Sequence, residues 1–149
     1  MAEVRRVLCP IDFSETSRAA LRWAVEIARR YEADLTLFHV FQPPTFSVPE
    51  GVIAGASDLL SDVQLQVDAA LRQWKVEAEA LGPPRPVVTG SAVGVTHLEI
   101  CRAAREGDHQ MIVIGTHGRT GLTHVLLGST AEKVVRHASC PVLTVRGPE

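Results

Sequence analysis

Lysine is scarce in this chain: Lys75 and Lys133 are its only two, and neither lies in a glycine-rich stretch. With no lysine behind a glycine loop there is no G-x-x-x-x-G-K-[ST] segment, which excludes a P-loop motor. No G-x-G-x-x-G follows the first apolar run, which argues against a dinucleotide dehydrogenase. Cysteine is sparse as well. Cys9, Cys101 and Cys140 stand far apart with no C-x-x-C pair, so buried free thiols in a reducing compartment are expected rather than zinc or dithiol chemistry. No apolar run reaches transmembrane length, and the N-terminus enters a strand-like run at once. Blocks of like charge are absent and the formal net charge is -2, which argues against a nucleic-acid or anionic-membrane surface. These absences together describe a cytoplasmic protein whose charge chemistry must be local.

What remains is ordinary globular material. A chain of 149 residues with 46% hydrophobic and 21% charged residues is expected to form one domain, 1–149, large enough to bury a core without disulfides or a structural metal. Apolar runs alternate with amphipathic stretches. Val4 to Cys9 reads as a strand, Glu15 to Tyr31 as a helix and Asp34 to Phe41 as a second strand. In that helix Leu21, Ala24, Val25 and Ala28 follow helical spacing, with Ser14 placed to cap it. Residues 42–57 hold Pro43, Pro44, Pro49, Gly51 and Gly55 and read as a loop or flap.

From Asp58 to Leu81 the apolar positions Leu60, Val63, Val67, Leu71, Trp74, Ala78 and Leu81 mark the longest helix, stopped by Gly82-Pro83-Pro84. Pro86 to Thr89 reads as a short strand, and Thr96 to Arg105 as a helix with capping-box spacing between Thr96 and Glu99. Met111 to Ile114 and Val142 to Val145 complete the strands, around a helix that Ser129 and Glu132 would cap in the same way. The expected fold is α/β: a doubly wound, five-stranded parallel sheet with helices on both faces. Ligands of such sheets bind outside the carboxyl ends of the strands, which directs attention to the loops beginning at Pro10, Val40, Gly90 and Gly115.

The last of these loops is the most informative. Gly115 and Gly118 are followed, nine residues on, by Gly128-Ser129 and Thr130, and a helix opens there. Glycines let a backbone turn and approach a ligand closely, and the first amides of a helix have no partner within it. Between Asp108 and Glu132 there is no carboxylate, whereas His117, Arg119 and His124 all lie there. A polyphosphate would meet donors and positive charge. Any one glycine is as well explained by a turn, and Ser129 by an ordinary cap; the combination between a strand and a helix favours phosphate.

Asp12 closes the first strand after Pro10-Ile11. It has two readings: a carboxylate for ribose, adenine or a divalent metal, or an Asx-turn or cap ahead of the first helix in competition with Ser14. Val40 would act through its backbone at the adenine edge. Among the six histidines no Cys or acidic partner stands at metal-ligand spacing. His39, between Phe38 and Val40, reads as a packed strand residue, and Trp23 and Trp74 as core or contact residues. A phosphoacceptor receiver domain is set aside because Val87-Val88-Thr89-Gly90 has no carboxylate.

The segments Val7-Leu8-Cys9-Pro10-Ile11-Asp12-Phe13-Ser14, Leu37-Phe38-His39-Val40 and Ile112-Val113-Ile114-Gly115-Thr116-His117-Gly118-Arg119-Thr120-Gly121-Leu122 resemble the universal stress protein family over nearly the whole chain. In that family the pattern Gly, two residues, Gly, nine residues, Gly and Ser or Thr distinguishes members that bind ATP, and it is complete here. The resemblance implies that Asp12 and Val40 contact the nucleoside, while Gly115, Gly118, Arg119, Gly128, Ser129 and Thr130 surround the phosphates of ATP, with magnesium or manganese. Gly107-Asp108-His109-Gln110 departs from the small-Asp-Leu run usual before the fourth strand. The resemblance also implies a homodimer through the last strand, where Val142, Leu143 and Val145 would otherwise be an open apolar edge. The leading reading is an ATP-binding dimeric switch with little or no turnover. Its alternatives are a slow ATPase using Arg119 and Asp12 with a metal, and a scaffold that keeps the glycine loop for structure alone.

Overall fold

The structure, a computed structural model, describes residues 3–42, 56–117 and 127–148. Strands and helices alternate in the order β1 (Arg6–Pro10), α1 (Glu15–Tyr31), β2 (Asp34–Phe41), α2 (Ala56–Ala80), β3 (Val88–Val93), α3 (Thr96–Glu106), β4 (Met111–Gly115), α4 (Ser129–His137) and β5 (Val142–Val145). The strands form one parallel sheet in the order β3-β2-β1-β4-β5. This is the doubly wound α/β fold expected from the alternation. Because the chain runs outward from β1 to β3 and then returns to β4, the winding reverses between β1 and β4, which is where such sheets hold ligands.

Successive side chains of a strand point to opposite faces, and the two cores follow that rule. Val7 and Cys9 of β1, Leu35 and Leu37 of β2 and Val113 of β4 pack with α1 and α2. Leu8, Phe38, Ile112 and Ile114, one position out of step, pack with α3 and α4. Strands buried on both faces have no polar alternation, which is why they read as continuous apolar runs.

α1 begins where the cap predicted it. The Ser14 Oγ accepts from the Ser17 amide, Leu21, Ala24, Val25 and Ala28 are buried, and the helix ends at Glu32 in the left-handed conformation with φ 54°. α2 buries Val67, Leu71, Trp74 and Ala78, but Leu60 and Leu81 are exposed. A 25-residue helix is about 37 Å long, whereas the 8 residues of β2 span about 26 Å, so the ends of α2 overshoot the sheet.

Three expectations are corrected. The third strand is not Pro86 to Thr89 but runs to Val93, because pairing with β2 from Thr36↔Val88 to Phe41↔Val93 extends Gly90-Ser91-Ala92, residues of little strand preference. The loop expected at Gly90 therefore opens at Gly94, whose φ is 153°. The two capping boxes do not form: the N-caps of α3 and α4 are Val95 and Gly128, with no side-chain cap bond. Thr96 and Ser129 already lie inside their helices, so Glu99 turns instead to Arg102 at 2.6 Å and Glu132 to Arg136 at 2.8 Å. Trp74 is core, while Trp23 is 56% exposed. Most of the proline-rich stretch of 42–57 lies outside the described residues.

Candidate functional site

The carboxyl ends of β1 and β4 are adjacent in the sheet. After β1, the Ile11 amide continues the ladder by donating to Phe38 O at 2.8 Å, and Phe13 then takes a left-handed backbone with φ 65°. Such a conformation is uncommon for a bulky residue and persists only where the surroundings hold it. Here the Phe13 ring lies 4.6 Å from that of His39 and 5.6 Å from that of Trp74. His39 is held in turn by Ile11 O, 2.7 Å from its Nδ1, so it is a packed strand residue as expected.

The turn orders Asp12. Its Oδ1 accepts from the Ser14 amide at 3.0 Å, from the Ser14 hydroxyl, and from the Ser17 hydroxyl at 2.6 Å, and the Ser17 Oγ accepts back from the Asp12 amide at 2.9 Å. Ser17 is buried. The Asx-turn is thus real, and Ser14 caps the helix as well: the two jobs are shared. Only Oδ1 is consumed, and Oδ2 has no partner among the described residues. Sequence reasoning named Asp12 and Ser14 but not Ser17, although its place three residues beyond the cap was the available signal.

After β4 the geometry centres on Thr116, a buried polar residue. Its amide donates to Val145 O at 2.8 Å, its carbonyl accepts from the Gly128 amide at 2.5 Å, and its hydroxyl pairs with His117 Nδ1 at 2.9 Å. The Thr116–Gly128 bond draws the two ends of the intervening segment together at the mouth of the β1–β4 crevice. Gly118, Arg119 and His124 lie outside the described residues. At the far side of that bond α4 begins, and among the described residues its first amides have no side-chain cap. Ser129 is exposed and Thr130 half-buried at this free end, where the helix dipole favours an anion.

The glycines have reasons of their own. A Cβ on Gly115 would lie 2.7 Å from Thr16 Cγ2 and 3.1 Å from Thr16 O, and one on Gly128 would lie 2.5 Å from Thr116 O. Gly128 has an ordinary φ of -65°, so contact and not backbone conformation requires the glycine. Gly147, which sequence reasoning passed over, meets the same threonine: its Cβ would lie 2.7 Å from Thr16 Oγ1. Two chain segments therefore cross the first turn of α1 at Thr16. Of the remaining expected residues, Pro10 is buried at the end of β1, and Val40 lies in β2 opposite Ala92.

Among the described residues no group of three or more His, Cys, Asp or Glu is arranged to hold a metal. The three cysteines are free, and burial pushes the Cys9 thiol up to about 12. Among the described residues no helix is long and apolar enough to cross a membrane.

Residues 3–146 match the model of the universal stress protein family. Universal stress protein MJ0531 of Methanocaldococcus jannaschii is 35% identical over 147 residues, spanning 97% of this chain and 84% of that protein. Among solved structures, the universal stress protein UspA from Lactobacillus plantarum superposes with a TM-score of 0.84 at 29% identity, over 98% of this chain and 100% of the other. A universal stress protein solved in complex with cAMP shares the fold with a TM-score of 0.76 at 24% identity, over 99% of this chain and 100% of the other.

Proposed function

The chain belongs to the universal stress protein family, and from that premise we propose that it is a cytoplasmic ATP-binding protein in which nucleotide occupancy biases a homodimer, with little or no turnover. The observation that carries the reading is the mouth of the β1–β4 crevice. On one side the Asp12 Oδ2 is left over from a turn that uses Oδ1 alone; on the other the uncapped N-terminus of α4 opens just after the Thr116–Gly128 closure. A carboxylate accepts from nucleoside donors, and free helix amides donate to phosphate. In this reading Pro10, Asp12 and Val40 line the nucleoside end. Gly115, Gly118, Arg119, Gly128, Ser129 and Thr130 surround a triphosphate with magnesium or manganese. A relative has been solved with cAMP, so an adenine nucleotide is the class to test first.

The dimer would form through β5, an edge strand with Leu143 exposed. Val145 packs into the core beside α1, so in this arrangement it supports the strand from behind and Leu143 with the strand backbone faces the partner. Trp23 and Leu143 share one groove with Thr144 and Arg146.

One observation favours the scaffold reading: Gly115 and Gly128 both meet backbone where a side chain would go, whether or not a ligand enters. Calorimetry decides between them. Titration of ATP with magnesium into the nucleotide-free protein is expected to give saturable heat that weakens in Asp12→Ala and in Gly118→Val. No heat from the folded wild-type protein leaves the scaffold reading standing.

A further inference from the structure

The seam between α3 and α4 carries a pair of histidines that the nucleotide site does not use. His97 lies in the first turn of α3 and His137 is the last residue of α4, yet their ring centroids are 5.6 Å apart with the planes inclined at 46°. We propose that His97 and His137 form a two-histidine site for a borderline divalent transition metal ion, Zn(II), Ni(II) or Cu(II), completed by water.

The separation fits such an ion. A metal bound about 2.0–2.1 Å from one nitrogen of each imidazole stands about 3.2 Å from each ring centre. Ring centres 5.6 Å apart leave room for one such ion between two converging imidazole nitrogens, at a nitrogen–metal–nitrogen angle of about 120°. The tautomer of one ligand is already set. The Nδ1–H of His137 donates to the Lys133 carbonyl at 2.8 Å, so Nε2 is the nitrogen that a metal would take. Fixing one ring nitrogen on a carbonyl is how proteins orient metal-binding histidines. Imidazole selects Zn, Ni and Cu over the oxygen-seeking Mg and Ca.

Burial first, and then Lys133 and His137, hold the His97 pKa below its usual value. Lys133 also repels the ion, a local penalty with a testable consequence. Cys101 and Cys140 flank the histidines in sequence, and burial raises the pKa of both thiols. No group of three ligands forms among the described residues, which is why the site is assigned two protein ligands.

The test uses the full chain freed of metal and nucleotide. Cu(II) is titrated and its nitrogen couplings are read by electron paramagnetic resonance, and Zn(II) binding is measured by calorimetry. The expected result is a first equivalent held by two imidazoles. It should weaken by about tenfold or more in His97→Asn and in His137→Asn, because even an outer-shell change commonly costs that much. His117→Asn should leave it unchanged, and Lys133→Gln should tighten it. A measurement that needs no variant is protection from diethyl pyrocarbonate: Zn(II) should shield His97 and His137 together. The proposal is overturned if the first equivalent survives loss of either histidine, follows His117, or leaves both rings open to the reagent.

Discussion

Gly115→Ala should destabilise the protein in the absence of any nucleotide, and Thr16→Ala should restore most of the loss. The added methyl would sit 2.7 Å from Thr16 Cγ2 and 3.1 Å from Thr16 O. The first contact is with the end of a side chain and vanishes in Thr16→Ala; the second is with backbone and persists. Overpacking of this kind costs about 1–3 kcal/mol. At roughly 2–4 °C per kcal/mol for a domain of this size, about 2 kcal/mol lowers the melting temperature by about 4–8 °C. Scanning calorimetry and urea unfolding of the four proteins of the double-mutant cycle measure the coupling. Because Gly147 meets Thr16 Oγ1 at 2.7 Å, Gly147→Ala should be rescued by the same threonine change. The reasoning is refuted if Gly115→Ala melts with the wild type, or if the two single-site losses simply add.

Asp12→Ala removes the acceptor of three hydrogen bonds and strands the buried Ser17 hydroxyl; a loss of about 1–3 kcal/mol in urea unfolding is expected, together with weaker ATP binding. Burial, aided by Arg6, holds His109 below its usual pKa, so the unfolded chain binds its proton first as pH falls. That stability is complete above about pH 6.5 and is lost as pH drops through the lower folded value; His109→Gln should flatten this part of the unfolding profile. Cys9, pushed up to about 12 and fully buried, is expected to resist a thiol reagent at pH 8 until the protein unfolds, whereas the half-buried Cys140 reacts first. Leu143→Glu should shift the sedimenting species toward monomer at micromolar concentration.

The residues of this chain announced most of their own local structure. Helical spacing of Leu21, Ala24, Val25 and Ala28, the Ser14 cap and the apolar runs Val7-Leu8-Cys9 and Met111-Ile112-Val113-Ile114 each follow from contacts within a few residues, or from burial on both faces of a strand. The glycine spacing and Asp12 pointed to the crevice for the same reason, because turn chemistry is local. What stayed hidden needed a partner distant in the chain. Gly90-Ser91-Ala92 is strand only because β2 supplies the other half of the ladder. Thr96 and Ser129 had the spacing of caps, and one residue of helix extension removed them from that duty. Thr16 gave no signal, since its importance lies in two glycines about a hundred residues or more away in the chain. Side-chain pattern alone thus determined the fold class and named the end of the sheet proposed to carry the site. Folding in three dimensions decided which oxygen of Asp12 is spent, why Gly115 and Gly128 lack side chains, and that His97 and His137 meet, because each depends on atoms brought together by the packing of separate elements.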